Sequence, residues 1–420
     1  MLDIRTLRQD PETARSRWAT RGLDVDVAAL IELDDRRRSL IAEVESLQRD
    51  RNSESKRIGQ LKKAGENPEE AMRAVREIGE CISALDQERT ETETRLQDQL
   101  LRLPNFPHDS VPVGGDAGAN PVIREWGDPS PFAFKPLPHW EVADRLGIFE
   151  FQRAAAISGA GFACLTGSGA RLSRALISFM LDLHTTRHGY TEVQAPFLVN
   201  DTALLGTGQL PKFAEELYKL PADDLWLIPT AEVPLTNLYR DHIFEGDLPV
   251  NLTGYTPCFR REAGAAGKMT RGMNRLHQFD KVEMVKFVRP EDSYAELEVL
   301  TGHAEAVLQA LGLHYRVITL CTGDLGFSAA KTYDIELWAP GQNAWLEVSS
   351  CSNFEDFQAR RAKIRYRNEA GKLEWVHTLN GSGVALPRLI VAMLEQNQRA
   401  DGRVVIPEAL RPYMGGRDLL

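Results

Sequence analysis

The sequence predicts an α+β body preceded by an N-terminal antiparallel α-helical coiled-coil hairpin. Three features carry that reading. Apolar residues recur at alternating three- and four-residue steps from Leu30 to Leu103, a Pro/Gly-rich break follows near residue 104, and short β-rich runs then alternate with amphipathic stretches. The 420 residues hold 50 Lys+Arg against 60 Asp+Glu, a formal charge of −10, so only a local basic patch can grip nucleic acid or anionic lipid. A composition 43% hydrophobic and 26% charged is that of a folded globular protein, and no stretch approaches the ~18 uninterrupted apolar residues of a membrane span. The first residues, MLDIRTLRQDPE, are charged where a signal peptide needs an apolar core, and Cys81, Cys164, Cys258, Cys321 and Cys351 form no CxxC pair. A reduced, cytoplasmic protein with no zinc site and no membrane contact is expected.

In the predicted hairpin, Leu30, Leu33, Leu40, Val44, Leu47, Ile58 and Leu61 share one seam, with Arg37, Arg51 and Glu54 at its remaining positions. Gly65-Glu-Asn-Pro68 interrupts it, and Val75, Ile78, Ile82, Leu85, Leu96 and Leu103 continue it, with Arg89, Thr92 and Gln99 as polar members. Two helices of ~35 residues then fold back over roughly 50 Å, spanning about 27–103 of an N-terminal domain set at 1–110. The seam alone suits a dimerisation coiled coil or a spacer equally well. Charge separates the readings: Arg49, Arg51, Lys56, Arg57, Lys62 and Lys63 crowd the far end, whereas Glu32, Asp34, Glu91, Glu93 and Asp98 make the root acidic. A basic end on an acidic chain points to a phosphate-backbone partner.

The body, 111–420, shows a helix from Ala170 to His188 with Leu172, Leu176, Phe179, Met180 and Leu183 on one face, then a strand from Tyr190 stopping at Pro196. Further strands are predicted at 225–228, 253–261, 276–288, 314–320, 332–338 and 344–349, and helices at 291–311, 353–367 and 383–397. Hairpins predominate, so the sheet should be mainly antiparallel.

Glycine clusters do not make a phosphate loop here: Gly264-Ala-Ala-Gly267-Lys268 lacks Walker spacing, and Gly167-Ser-Gly169 and Gly206-Thr-Gly208 lack the third glycine of a dinucleotide fingerprint. Phe259-Arg260-Arg261-Glu262, a stretch read as a mobile loop carrying Lys268 and Arg271, and Arg275 through Glu283 offer more. On alternating backbone Arg260 and Glu262 share a face, which suits a nucleotide: guanidinium to phosphate, carboxylate to an exocyclic amine, Phe279 on the base. A solvated strand face is the bland alternative.

The segment FRREAGAAGKMTRGMNRLHQFDKVE resembles motif 2 of class II aminoacyl-tRNA synthetases. GYTEVQAPFLVN resembles motif 1 with its Pro196, and LNGSGVALPRLIVAMLEQNQ resembles motif 3 with its Arg388. With TGQLPKF, IPTAEVPL, LEVSSCSNFEDFQARR and the helical hairpin, essentially the whole chain is similar to bacterial-type seryl-tRNA synthetases. That resemblance implies a class II antiparallel sheet with flanking helices in 111–420 and a tRNA-binding domain in 1–110. It implies activation of L-serine with ATP and Mg²⁺ to seryl-adenylate, then transfer to the 3′ end of tRNA(Ser), and also of tRNA(Sec), by a homodimer.

By the same resemblance Arg260 and Arg388 are catalytic, Arg260 bridging the α-phosphate and the serine carboxylate. Glu262, Arg275, Phe279, Glu347, Val348, Ser349, Ser350 and Arg388 join it around ATP, with Glu347 and Ser350 placing the metal ion. Thr230, Ala231, Glu232, Glu283, Asn380 and Ser382 receive serine. Lys268, Arg271 and the six basic residues of the hairpin tip meet tRNA, reading shape and backbone rather than the anticodon. Cys351 reads as a buried small residue, since no histidine is placed to activate it. Leu386-Pro387 precedes Arg388 where the family commonly has smaller residues. Two alternatives stay open: an amino acid:carrier-protein ligase, and an inactive paralogue acting as a binding protein.

Overall fold

A computed structural model of the chain describes residues 1–129, 131–246, 248–263 and 271–420, in two compact units, residues 2–103 and residues 104–420 with Met1. In the first unit, short helices Ile4–Gln9 and Pro11–Thr20 precede helices α1 (Val27–Ala64) and α2 (Glu69–Leu101). Asp26 caps α1 by accepting from the Ala29 N–H, and Gly65, at φ +72°, ends it with an N–H turned back to the Leu61 carbonyl. Leu30, Leu40 and Val44 from α1 and Ile82, Leu96 and Leu100 from α2 are buried in the seam. Nearer the turn, Leu47, Ile58 and Leu61 are only half-buried, so apolar packing thins along the hairpin.

Asp34 departs from the expectation of an acidic surface at the root. It is fully buried, because Arg8 and Arg37 both donate to it, at 2.5 and 2.7 Å, and so fasten Ile4–Gln9 to α1. Arg36 crosses to Glu88 of α2 at 2.7 Å. At the other end Arg49, Lys56, Arg57, Lys62 and Lys63 are exposed and Arg51 is half-buried. Arg57 pairs with Glu54 at 3.4 Å, and the other five have no ion-pair partner among the described residues.

The second unit is organised by an eight-stranded sheet. Its strands are β1 (Val122–Trp126), β2 (Thr191–Glu192), β3 (Val250–Phe259), β4 (Gln278–Val288), β5 (Tyr315–Thr319), β6 (Lys331–Ala339), β7 (Ala344–Asn353) and β8 (His377–Ala385). Their order across the sheet is β1-β5-β6-β7-β8-β4-β3-β2, and every neighbouring pair is antiparallel except β2 with β3. Helices α3 (His139–Leu146), α4 (Gly167–Arg187), α5 (Ser293–Ala310) and α6 (Leu386–Gln396) pack into the main core with it. The anticipated apolar face of α4, Leu172 through Leu183, lies in that core. No helix among the described residues is long and apolar enough to cross a membrane.

Three elements differ from expectation. The helix read at 353–367 covers only Phe357–Ala362, because Lys363 turns left-handed at φ +57° and the chain enters a strand at Arg365–Arg367, burying Tyr366 in a second apolar cluster. The strand read from Tyr190 to Pro196 pairs only at Thr191–Glu192. Most consequentially, 377–385 is a central strand where none was predicted, and the helix read from 383 begins only at Leu386. The glycines of that strand serve close approach. A Cβ at Gly381 would overlap Leu300 and lie 2.9 Å from the Cys351 sulfur, and one at Gly383 would lie 2.5 Å from Nε2 of His184. Gly381→Ala is therefore expected to lower unfolding free energy by about 1–3 kcal/mol, read by urea denaturation, because β8 has no room to move between α5 and β7.

Candidate active site

One cavity of about 450 Å³ opens on the sheet where β4, β7 and β8 meet the start of α6. Arg260, Glu262, Arg275, Phe279, Glu347, Val348, Ser350 and Arg388 line it together with Thr230, Glu232, Asn380 and Ser382. Sequence positions more than 150 apart thus share one wall.

Arg260 sits where the β3–β4 ladder ends at Phe259. Its N–H donates to the His277 carbonyl at 2.9 Å and its Nε to the Pro229 carbonyl at 3.2 Å, so the guanidinium hangs 5.1 Å from the Phe279 ring centroid. Arg260 and Glu262 are not brought together by strand alternation. Alternation stops at Phe259, and Glu262 reaches the cavity through a left-handed turn at φ +50°, held by Arg275 at 2.9 Å. Arg388, third residue of α6, donates from Nη1 to the Glu347 carbonyl at 2.7 Å and from Nε to the Asn274 carbonyl at 3.2 Å. The Glu347 carboxylate lies 3.6 Å away. Pro387 also lines the cavity and occupies a first-turn position where its missing N–H costs no helical hydrogen bond.

Another part of the lining rests on buried polar groups. Glu283 is fully buried and does not line the cavity: its Oε2 accepts from Thr230 at 3.2 Å and from the Lys281 ammonium, and its Oε1 accepts from Asn380 at 2.9 Å. The carboxylate on the wall is Glu232. Gln358 donates to it at 2.6 Å, yet burial and the neighbouring Glu283 push its pKa up to about 7. Ser349 is turned inward to donate to the Ser382 carbonyl, and Ala231 is buried away from the wall. Cys351 is buried too, which pushes its thiol up to about 12.

The group at Glu347 fits a hard divalent cation. Asp334, across the β6–β7 pair from Ser350, is raised well above the carboxylate range by burial and by Glu347, and its Oδ1 has no hydrogen-bond partner. Buried carboxylate oxygen without a cation beside an exposed carboxylate and a serine is an oxygen donor set suited to Mg²⁺ shared with phosphate. Among the described residues no cluster of three His, Cys, Asp or Glu side chains could hold a metal by itself.

Arg271 is not brought to the cavity; its guanidinium lies 4.5 Å from the Trp140 ring. Lys268 falls outside the described residues. The hairpin residues Arg49, Arg51, Lys56, Arg57, Lys62 and Lys63 belong to the other unit. Sequence reasoning passed over Lys281, whose signal was the two-residue spacing to Glu283, masked because charged strand positions usually face solvent. It also passed over Asn274 and Gln358, which carry no local signal, and over Thr207-Gly208-Gln209 as cavity lining.

A sheet of this order, with arginines from a strand end and a helix start on one cavity, is that of a class II aminoacyl-tRNA synthetase. A family model described as tRNA synthetase class II core domain (G, H, P, S and T) matches residues 217–397, and one described as seryl-tRNA synthetase N-terminal domain matches residues 1–107. The serine–tRNA ligase of Pelotomaculum thermopropionicum is 55% identical over 417 residues, 99% of either chain. The seryl-tRNA synthetase of Pyrococcus horikoshii, solved complexed with ATP, is similar at a TM-score of 0.94 and 39% identity over 100% of this chain and 99% of that one. The cytoplasmic serine–tRNA ligase of Naegleria fowleri, solved in complex with AMP, gives 0.89 and 30% over 100% and 98%. The chain belongs to the seryl-tRNA synthetase family, ligases that make seryl-tRNA.

Because Lys281 and Glu283 compensate each other in the dry floor, Lys281→Met should destabilise the fold by on the order of 3 kcal/mol, seen as a lower urea midpoint with an unchanged slope.

Proposed function

We propose that this chain activates L-serine with ATP to seryl-adenylate in the cavity described and transfers the seryl group to the 3′ end of tRNA(Ser). The observation that carries the proposal is that two arginines, Arg260 and Arg388, and Glu262 line the same cavity as a buried carboxylate, Glu232, with Asn380 and Ser382. Adenylate formation gathers negative charge on the α-phosphorus as the serine carboxylate attacks and pyrophosphate leaves. Fixed cations aimed at that charge lower the barrier without a protein nucleophile.

In this reading Arg260 bridges the α-phosphate and the serine carboxylate, and Phe279 beneath it supports the adenine, whose amine donates to Glu262. Arg388 covers the base and reaches the γ-phosphate, while Arg275 steadies the outer phosphates. Glu347 and Ser350 would hold Mg²⁺, which when bound would supply positive charge for the ATP phosphates. Thr230 and Glu232 take the serine ammonium, Asn380 and Ser382 close the pocket around its hydroxyl, and Glu283 acts from behind by fixing Thr230 and Asn380. Polar groups satisfied only by a hydroxyl reject alanine by a factor on the order of 10⁴.

The basic hairpin end supports a role for residues 1–110 in holding tRNA by its backbone, which makes recognition indifferent to the anticodon and extends the proposal to tRNA(Sec). Exposed Phe197 and Leu198, just after Pro196 of motif 1, support a homodimer. A cytoplasmic location accords with five free cysteines.

The direct test is ATP–pyrophosphate exchange with each amino acid in turn. Serine-dependent exchange is expected, and exchange driven by another amino acid or by none would overturn the reading. Deleting residues 35–98 should leave exchange intact and abolish tRNA charging; normal charging by the truncated chain would remove the hairpin from the account.

Glu232 gives a pH signature. The folded chain keeps its proton up to about 7 whereas the reference carboxylate releases it at 4.5, so between those values this group's contribution to stability falls as pH rises. Binding an ammonium favours the ionised form. The serine KM should therefore climb as pH falls below about 7, approaching tenfold per pH unit, and Glu232→Gln should flatten that dependence.

A further inference from the structure

Three consecutive residues on the limb that returns to β4 are held by two neighbours at the start of α3. The Arg271 guanidinium lies 4.5 Å from the Trp140 ring. Gly272, at φ +71°, passes so close to His139 that a Cβ there would overlap Nε2. The Met273 N–H donates to that same Nε2 at 3.0 Å. Since Nε2 accepts, the ring proton sits on Nδ1, which donates to Oε1 of Glu395 at 3.1 Å.

Glu395 is fully buried near the end of α6 and is saturated with donors. Its Oε1 also takes the His139 N–H and the Gln342 side-chain amide, each at 2.8 Å, and its Oε2 takes the N–H groups of Gly341 and Gln342, at 2.9 and 3.2 Å. From Met273 the chain continues to Asn274, whose Nδ2 donates to Gln342 at 2.7 Å and whose carbonyl accepts from Nε of Arg388 at 3.2 Å. A circuit thus leaves α6 at Glu395, runs through His139 and the limb, and returns to the same helix at Arg388. Neither His139 nor Glu395 lines the cavity.

We propose that His139, held in one tautomer by Glu395, is a positioning residue for the reaction: it fixes residues 272–274 so that the Asn274 carbonyl orients Arg388 toward the ATP phosphates. The inference rests on the ATP reading above. A core histidine without this role would affect stability but would not distinguish one substrate from the other.

The test uses the full chain and two readouts, the KM values for ATP and serine in pyrophosphate exchange and the ATP Kd by calorimetry. His139→Phe keeps a ring but accepts nothing. His139→Gln places an amide oxygen near the position of Nε2. Gly272→Ala pushes the limb off His139 while leaving both the His139 and Glu395 side chains in the sequence. Loss of one hydrogen bond that orients a charged group should raise the ATP KM and Kd roughly tenfold in His139→Phe and Gly272→Ala, leave the serine KM within about twofold, and be largely restored in His139→Gln. Unchanged ATP constants in Gly272→Ala, an equal rise for serine, or equal losses in the Phe and Gln variants would overturn the inference. Should His139→Phe fail to fold, Gly272→Ala and His139→Gln still decide it. A parent chain that binds ATP but shows no serine exchange refutes the proposed function alone, because the Kd comparison continues to read the positioning role.

Discussion

Glu283 is buried among three donors that come from three distant parts of the chain: Thr230 at the entrance to a short helix, Lys281 two places back on its own strand, and Asn380 on the neighbouring strand. An ionised carboxylate in a dry interior is tolerable only when paired and hydrogen-bonded, so these segments are not free to drift apart. Register does the rest: Ser382 stands opposite Glu283 and Asn380 opposite Val285, which sets both polar side chains of β8 on the cavity wall. The floor is therefore defined electrostatically before any ligand enters. A slip of one residue in this ladder would turn Asn380 and Ser382 to the opposite face and leave Glu283 without its partner.

Two parts of the cavity lining follow different physical rules. The cavity's arginines are partly exposed: Arg260 and Arg388 lean on backbone carbonyls, while Arg388 also lies 3.6 Å from Glu347 and Arg275 pairs with Glu262. Positive charge there remains available to a polyanion. Around Glu232 the groups are dry, and like charge from Glu283 raises the affinity of Glu232 for a proton. In the proposed reading, the ammonium of a small zwitterion would meet a carboxylate poised near neutrality and its carboxylate would meet Arg260. Burial in one part and exposure in the other thus give a single cavity opposite preferences for charge, which suits joining a nucleotide to an amino acid.

Much of this was legible in the sequence where a local period or punctuation existed. The α1–α2 hairpin announced itself through its seam and the Gly65 stop, and α4 through a one-sided apolar face. The motif resemblance located Arg260, Glu262 and Arg388 on one site. What stayed hidden depends on contacts between remote segments. The strand around Gly381 and Gly383 went unread, because the reason for its glycines is that Leu300, Cys351 and His184 fill the space where side chains would be. Asp34 looks like a solvated charge until Arg8 is found beside it. Glu283 and Lys281 look like one polar face of a strand, and only burial reveals that they answer each other.

The same logic explains why the return limb of motif 2 needs help from outside the motif. Residues 271–274 follow no ladder until β4 begins at Gln278, so their backbone N–H groups and carbonyls must find partners elsewhere. His139 takes the Met273 N–H and Arg388 donates to the Asn274 carbonyl, while Gln342 accepts from the Asn274 side-chain amide; His139 and Gln342 are both oriented by Glu395 near the far end of the helix that carries Arg388. A helix is stiff over eleven residues, roughly 16 Å at 1.5 Å per residue, so a constraint at its last turn bears on its first. Motif 2 and motif 3 are in this sense one mechanical part, joined on one side by the Arg388–Asn274 hydrogen bond and on the other by a buried histidine that belongs to neither.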